Sequence, residues 1–336
     1  MSPDRRSQTI VIAGASSLLG GEVKTVLEES RFAGWDLRLV DEEDVAGTLT
    51  EAAGEATLIQ RVEEDTFHGA QYAFLTGSGE FSKRCLGPAK EAGVTILDFS
   101  GASLAEPDAV PWFPKIESLT GKSLAKQTKI YSVFSAGGTA VASLALALRA
   151  AGLNCLVAVV FRPVSEAGRE GIEELETQTS QLLSFQSVGQ TVFGAQAAFN
   201  LLPKYGAESR HDLHRSRLEM RAEVSAAVDD AGLDKNIALN LIHAPVFYGM
   251  TFSAWAELEG HADAATLRKA TQEAGFSLVP AEEAAPSNVS VAGETSVLLR
   301  EPEPDSMGQA WWFWGAADNL RLPAWSASKL AERLEG

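Results

Sequence analysis

Near the start of the chain, the residues best suited to chemistry are two glycines and an acid. Gly14 and Gly20 bracket Ala-Ser-Ser-Leu-Leu, directly after the apolar run Gln8 to Ala13 and before a helical periodicity through Val23, Val26 and Leu27. Gly14 permits a tight turn and Gly20 a close helix–strand approach. The amides of Ser16, Ser17, Leu18 and Leu19 would then offer a helix N-terminus to a pyrophosphate. Ser17 stands where the usual dinucleotide fingerprint has its middle glycine, so a dinucleotide-type fold without a nucleotide is the competing reading. Asp41, at the end of a second strand, is placed to accept hydrogen bonds from an adenosine ribose. Glu42, Glu43 and Asp44 follow it. That run also reads as a solvated loop; either way it opposes a 2′-phosphate, making NAD the expected dinucleotide and NADP the disfavoured one.

Nucleophiles and metal ligands are sparse. Cys85 and Cys155 are the two cysteines, too few for a disulfide framework or a cysteine-based zinc site, and both read as core thiols. His68, His211, His214, His243 and His261 lack metal-ligand spacing, so no metal is expected. His68 and His261 read as loop or turn residues, His211 and His214 as an exposed helix start, and His243 as an interior strand residue. The Trp311-Trp-Phe-Trp314 run reads as a strand packed on both faces. Asp and Glu total 45 against 28 Lys and Arg, a net charge of −17. Nucleic acid and anionic membrane are therefore not expected partners. With no signal-peptide pattern or membrane span, a cytoplasmic location is expected.

Elements must position these residues. Strands at 8–13, 37–40, 72–75 and 94–97 alternate with helices at 20–30 and 80–92, the grammar of βαβ units and a parallel sheet. The turn Thr76-Gly-Ser-Gly79 puts Gly77 where such sheets bind ligands. Pro107, Pro111, Pro114 and Gly121 mark an irregular connection. A long apolar helix to Ala151 and a buried strand 156–161 follow. Helices are then expected at 169–183, 212–229 and 264–273, with strands at 236–247, 251–259, 295–299 and 310–316 and a closing helix at 324–335. The strand-rich second half suits a mixed or antiparallel sheet.

Several stretches, in order along nearly the whole chain, resemble the aspartate-semialdehyde dehydrogenase family. They are Val11-Ile-Ala-Gly-Ala-Ser16, Ile96-Leu-Asp-Phe-Ser-Gly-Ala102, Glu106-Pro-Asp108, Val164-Ser-Glu-Ala-Gly168 with its continuation to Leu175, Ala198-Phe-Asn-Leu-Leu-Pro203, Ala244-Pro-Val-Phe-Tyr-Gly249 and Ala317-Asp-Asn-Leu-Arg321. The resemblance implies an α/β fold. Residues 1–131 and 318–336 would form a Rossmann-like dinucleotide-binding domain, and residues 132–317 an α+β domain for catalysis and homodimer formation. It also implies dinucleotide contacts at Gly77, Ser100, Ser165, Gly168 and Asn319 beside those of the first turn.

The family's reaction needs a cysteine thiolate, a histidine acid–base, a glutamine, and cationic clamps for phosphate and carboxylate. Carried onto this chain, the nucleophile position falls on Ser135 or Gly137 and the glutamine on Arg162. The carboxylate arginine falls on His243, the histidine on Met250, the phosphate arginine on Leu104 and the phosphate lysine on Glu219. Glu223, the implied partner of a substrate amine, is retained. With Met250 in place of the histidine, no base is expected beside Ser135. Three readings stand: a scaffold that keeps NAD but has lost the family chemistry; a dehydrogenase for another small molecule using Arg162, His243 and Glu223; and a dimeric interaction or sensing module.

Overall fold

The computed structural model of the chain describes residues 8–52, 54–125, 127–260, 262–306 and 308–336; His261 lies outside them. The chain divides into two compact units. One takes in the chain up to Phe113, Ser123–Phe134 and Pro323–Gly336; the other comprises Pro114–Lys122 and Ser135–Leu322.

In the first unit, β1 (Thr9–Ala13) is buried at every residue, as a parallel strand covered on both faces must be. It is followed by α1 (Leu18–Glu28), β2 (Asp36–Asp41), β3 (Leu49–Ala52), β4 (Glu55–Leu58), β5 (Gln60–Arg61), β6 (Tyr72–Leu75), α2 (Gly79–Glu91), β7 (Thr95–Asp98) and β8 (Ala109–Trp112). The short helix α3 (Ile116–Thr120) belongs to the second unit, and β9 (Ile130–Val133) returns to the first. The main sheet has the order β5-β2-β1-β6-β7-β9-β8, with every pairing parallel. This is the expected Rossmann-like α/β arrangement. The proline-rich stretch read as irregular contains β8. Pro111 is tolerated there because β8 is the edge strand, where a missing N–H breaks no ladder.

The second unit is built on α4 (Ala136–Leu148), whose thirteen residues are all buried. It continues with β10 (Leu153–Arg162), α5 (Gly168–Leu183), α6 (Leu213–Val228), β11 (Ile237–His243), β12 (Met250–Leu258), α7 (Ala264–Glu273), β13 (Ser277–Val279), β14 (Leu298–Arg300), β15 (Glu303–Pro304) and β16 (Ala310–Ala317). Its sheet has the order β11-β10-β12-β16-β14-β13, with parallel ladders at β10–β11 and β13–β14 and antiparallel ones elsewhere. The mixed sheet agrees with the expectation from the sequence.

This sheet is one-sided. Leu156, Ala158 and Val160 of β10 point to the core, while Val157 is 40% exposed; Trp312 of β16 is 46% exposed. The expectation that the tryptophan run packs on both faces is therefore corrected. Trp311 and Phe313 are buried, but Trp255 and Trp312 share the outer face, where both indoles donate to Asp305 Oδ2, at 3.2 and 2.6 Å. Alternation puts every second residue on the outer face whatever its hydrophobicity. For the same reason β10 is not a wholly buried strand, and Cys155 is half-buried rather than a core thiol.

The last helix, α8 (Arg321–Glu335), begins three residues before the expected start and closes the first unit. The buried Tyr72 hydroxyl donates to Ala331 O at 3.2 Å and Glu335 Oε2 at 3.0 Å, and Trp112 Nε1 donates to Ser326 O at 3.1 Å.

Candidate functional site

In the first unit, the turn from β1 into α1 is built by close backbone approach. Gly14 has φ +93°, and a Cβ there would lie 2.2 Å from Gly77 N; one on Gly20 would lie 2.4 Å from Gly14 O. Only glycine fits either position. Ser17 caps α1: its Oγ accepts from Gly20 N at 2.8 Å and donates to Thr76 O at 3.1 Å. The amides of Leu18 and Leu19 make no hydrogen bond among the described residues. They are the open donors of this helix end. Ser16 N is already engaged, donating to Asp41 Oδ2 at 2.8 Å, while Asp41 Oδ1 accepts from Glu42 N at 2.8 Å. Ser100 is engaged too: its N and Oγ donate to Asp98 Oδ1 at 2.9 and 2.6 Å. Beyond Asp41 opens a cleft of about 990 Å³ lined by Glu42, Glu43, Arg61, Glu63, Arg84 and others. Asp98, buried and holding the turn after β7, was not singled out in the sequence; nothing marks one strand-end aspartate over another.

The second unit carries the positions that the family resemblance linked to catalysis, except Leu104, which lies in the first. Ser135 is the N-cap of α4: its Oγ accepts from Gly138 N at 3.0 Å and donates to Glu223 Oε2 at 2.6 Å. Ser135 N donates to both oxygens of the same carboxyl at 3.3 and 3.2 Å. The sequence offered no base beside Ser135; the structure brings it the carboxyl of Glu223 on α6, 88 residues away. The first turn of α4 is closely covered. A Cβ on Gly137 would lie 2.5 Å from Met220 Cε, and one on Gly138 would lie 2.0 Å from Glu223 Oε2. Glu223 is 7% exposed. Burial pushes its pKa up to about 8, against the opposing pull of the Ser135 hydrogen bonds. It therefore holds a proton near neutrality.

At the ends of β10 and β11, Arg162 and His243 are register partners. The fully buried His243 has Nδ1 3.3 Å from Tyr205 Oη, and its ring lies beside Phe193. Burial pulls its pKa down to about 4, so the imidazole is neutral. The His243 ring also lies beside the Ala197 main chain, while its Nε2 and Arg162 Nη1 are buried without a hydrogen bond of suitable geometry. Arg162 Nη2 donates to Glu166 O at 3.2 Å and lies 3.6 Å from Glu166 Oε2. Tyr205 comes from an irregular loop that Gln178 fastens to α5, accepting from Ala197 N at 2.7 Å and Ala198 N at 3.0 Å. No local pattern in that loop pointed to Tyr205.

Asn319 joins three segments: Nδ2 donates to Ser165 Oγ at 3.1 Å and Glu166 Oε1 at 3.3 Å, and Oδ1 accepts from Gly249 N at 2.9 Å. Gly168, with φ +74°, starts α5 in a conformation other residues reach at a cost. Met250 is buried at the head of β12. Leu104 sits in a one-turn helix after β7, and Glu219 is on the exposed side of α6, paired with Arg215 at 2.9 Å. The remaining histidines stay apart: His211, half-buried rather than exposed, has Nε2 3.1 Å from Glu170 Oε1, and His214 is 2.9 Å from Arg217 Nη2. No group of three or more metal-binding side chains forms among the described residues.

Three comparisons place this geometry. The family described as semialdehyde dehydrogenase, dimerisation domain, matches residues 145–322. A USG-1 protein homolog of Pseudomonas aeruginosa is 28% identical over 77% of this chain and 76% of its own length. Aspartate-semialdehyde dehydrogenase 2 of Vibrio cholerae is 24% identical over 97% of each chain. The crystal structure of aspartate semialdehyde dehydrogenase II from Vibrio cholerae superposes with TM-score 0.82 at 25% identity, covering 97% of this chain and 98% of that one. The family match spans the elements that carry Ser165, Tyr205, Glu223, His243 and Asn319, and the whole-chain similarity adds the parallel-sheet unit with its Gly14 turn. The chain belongs to the aspartate-semialdehyde dehydrogenase family.

Proposed function

We propose that this protein is a homodimeric, NAD-binding member of the family that does not run the thiol chemistry of semialdehyde oxidation. The observation that carries this reading is the Ser135–Glu223 pair. The Ser135 hydroxyl donates to Glu223 and accepts from Gly138 N, so both its hydrogen and its inward lone pair are engaged. A carboxyl that already holds its proton near neutrality cannot take another from a serine. Neither thiol substitutes. Cys85 is buried in α2 of the first unit, its pKa pushed up to about 12 by burial, and Cys155 lies at the opposite end of β10 from Arg162.

The dinucleotide fits the first unit. Leu18 and Leu19 would present their amides to the pyrophosphate, and the acid-lined cleft beyond Asp41 suits an unphosphorylated ribose. A bound nicotinamide dinucleotide would supply hydride-transfer chemistry, and these residues would hold its pyrophosphate and adenosine ribose. The open sheet face bearing Val157, Trp255 and Trp312, in a domain matched to a dimerisation family, supports an isologous dimer. Among the described residues no helix is long and apolar enough to cross a membrane, and a cytoplasmic location is part of this proposal.

A second reading is favoured by one observation. Arg162 Nη1 and His243 Nε2 are buried without partners, which an anionic small molecule could satisfy in a dehydrogenase with a changed substrate. A thermal-shift screen with NAD, NADP and neither separates the readings from a ligand-free interaction module: a rise with NAD is expected, and no shift with either would overturn nucleotide binding. Sedimentation should give about twice the monomer mass. A monomer throughout the micromolar range would overturn the dimer.

A further inference from the structure

The cleft at the end of β2 contains a discriminator that Asp41 does not supply. Asp41 is buried, and both of its oxygens accept backbone amides within the turn, from Ser16 and Glu42. Its carboxylate holds the β1–α1 turn against the end of β2. Two guanidinium groups line the same cleft, and each is engaged by an acid. Arg61 Nε is 2.9 Å from Glu63 Oε1, and Arg84 Nη2 is 2.6 Å from Glu42 Oε2. Arg84 is further set by Phe81, its Cζ lying 5.6 Å from the ring centre over the aromatic face.

An arginine beside the end of the second strand is the group by which such sheets accept a ribose 2′-phosphate. Here that arginine is present but neutralised. Resting on the dinucleotide reading above, we infer that Glu42, rather than Asp41, is the residue that selects NAD over NADP, by occupying Arg84 and placing a negative charge where the phosphate would dock. The pair is exposed, with side chains 61% and 40% accessible, so breaking it costs little. What excludes the phosphate is the Glu42 charge itself, which a phosphate must displace from Arg84 and then oppose at close range.

Calorimetric titration of the full chain with NAD and with NADP tests this. Wild-type protein should bind NAD more tightly. Glu42→Gln, which removes the charge and keeps the shape, should raise NADP affinity about tenfold or more, roughly 1.4 kcal/mol per factor of ten, and so narrow or reverse the preference for NAD. Glu42→Gln combined with Arg84→Ala should lose the gain. Asp41→Asn should weaken both nucleotides together, because it loosens the turn. NAD binding with no NADP gain in Glu42→Gln would overturn the inference and leave the dinucleotide reading intact. A gain that survives Arg84→Ala would overturn the role given to Arg84. Wild-type preference for NADP would also overturn the inference. Absence of binding by wild type and variants would remove the dinucleotide reading and this inference with it.

Discussion

The turns that open α1 and α4 are built alike and finish differently. Each follows a buried parallel strand, and each has a serine N-cap whose Oγ accepts from the amide three residues on, Gly20 N at 2.8 Å and Gly138 N at 3.0 Å. At Ser17 the hydroxyl then donates to a main-chain carbonyl, and two amides stay open. At Ser135 it donates to a buried carboxyl, and Met220 and Glu223 press on Gly137 and Gly138. The same cap therefore leaves open donors at a helix end in one unit and forms a packed joint in the other. A helix N-terminus binds anions only where nothing from its own chain fills the space before it.

Two glycine substitutions can break this contrast, the larger effect at Gly14. Gly14→Ala should be the most damaging, because its Cβ would meet backbone at 2.2 Å on a residue with φ +93°. Neither the Gly77 main chain nor the dihedral can give, so a loss of more than about 3 kcal/mol is expected, read as a fall in the denaturant midpoint. Gly138→Ala should cost less, roughly 2 kcal/mol, since the atom it meets is the end of a side chain. Equal losses from the two changes would show that the α4 joint is as rigid as the α1 rim.

The joint also carries a pH signature of definite sign. Glu223 has a folded pKa raised to about 8, so between the ordinary carboxylate range and that value the folded state holds a proton that the unfolded state has released. Its contribution favours folding at low pH and is lost as pH rises towards about 8. Glu223→Gln removes the titration. Relative to wild type, the variant should gain stability from about pH 5 to about pH 8, by on the order of 3 kcal/mol. A variant-minus-wild-type difference that stays flat with pH would show that Glu223 is ionised in the fold. The smallest expected effect is Ser17→Ala, about 1 kcal/mol for a lost cap, visible as a modest fall in Tm. If Ser17→Ala proved harsher than Gly14→Ala, the account of that turn would be wrong.

Much of the first unit was legible because β1 and β6 are short apolar runs that lead into glycine turns. Gly14 and Gly20 announce a turn of one kind, and Asp41 marks the end of β2. The second unit was legible as elements but not as a site. Ser135 and Glu223 meet through α6, and Tyr205 reaches His243 from a loop with no periodicity, so no local spacing encodes either contact. The outer sheet face misled for a related reason. A run of aromatic residues looks buried in a sequence, whereas strand alternation assigns Trp312 to the open side of the sheet whatever its hydrophobicity.

Coupled NAD(P)H absorbance with aspartate semialdehyde and phosphate decides whether the protein runs the family's thiol chemistry. Wild type, Ser135→Cys and Gly137→Cys would be assayed beside an active family enzyme. No turnover is expected with NAD or NADP from any of the three. A thiol introduced at the head of α4 would still lie under Met220 and Glu223, and under the proposed reading Met250 offers no acid–base group in place of a histidine. Turnover by the wild-type protein that survives repurification and disappears in Ser135→Ala would contradict it.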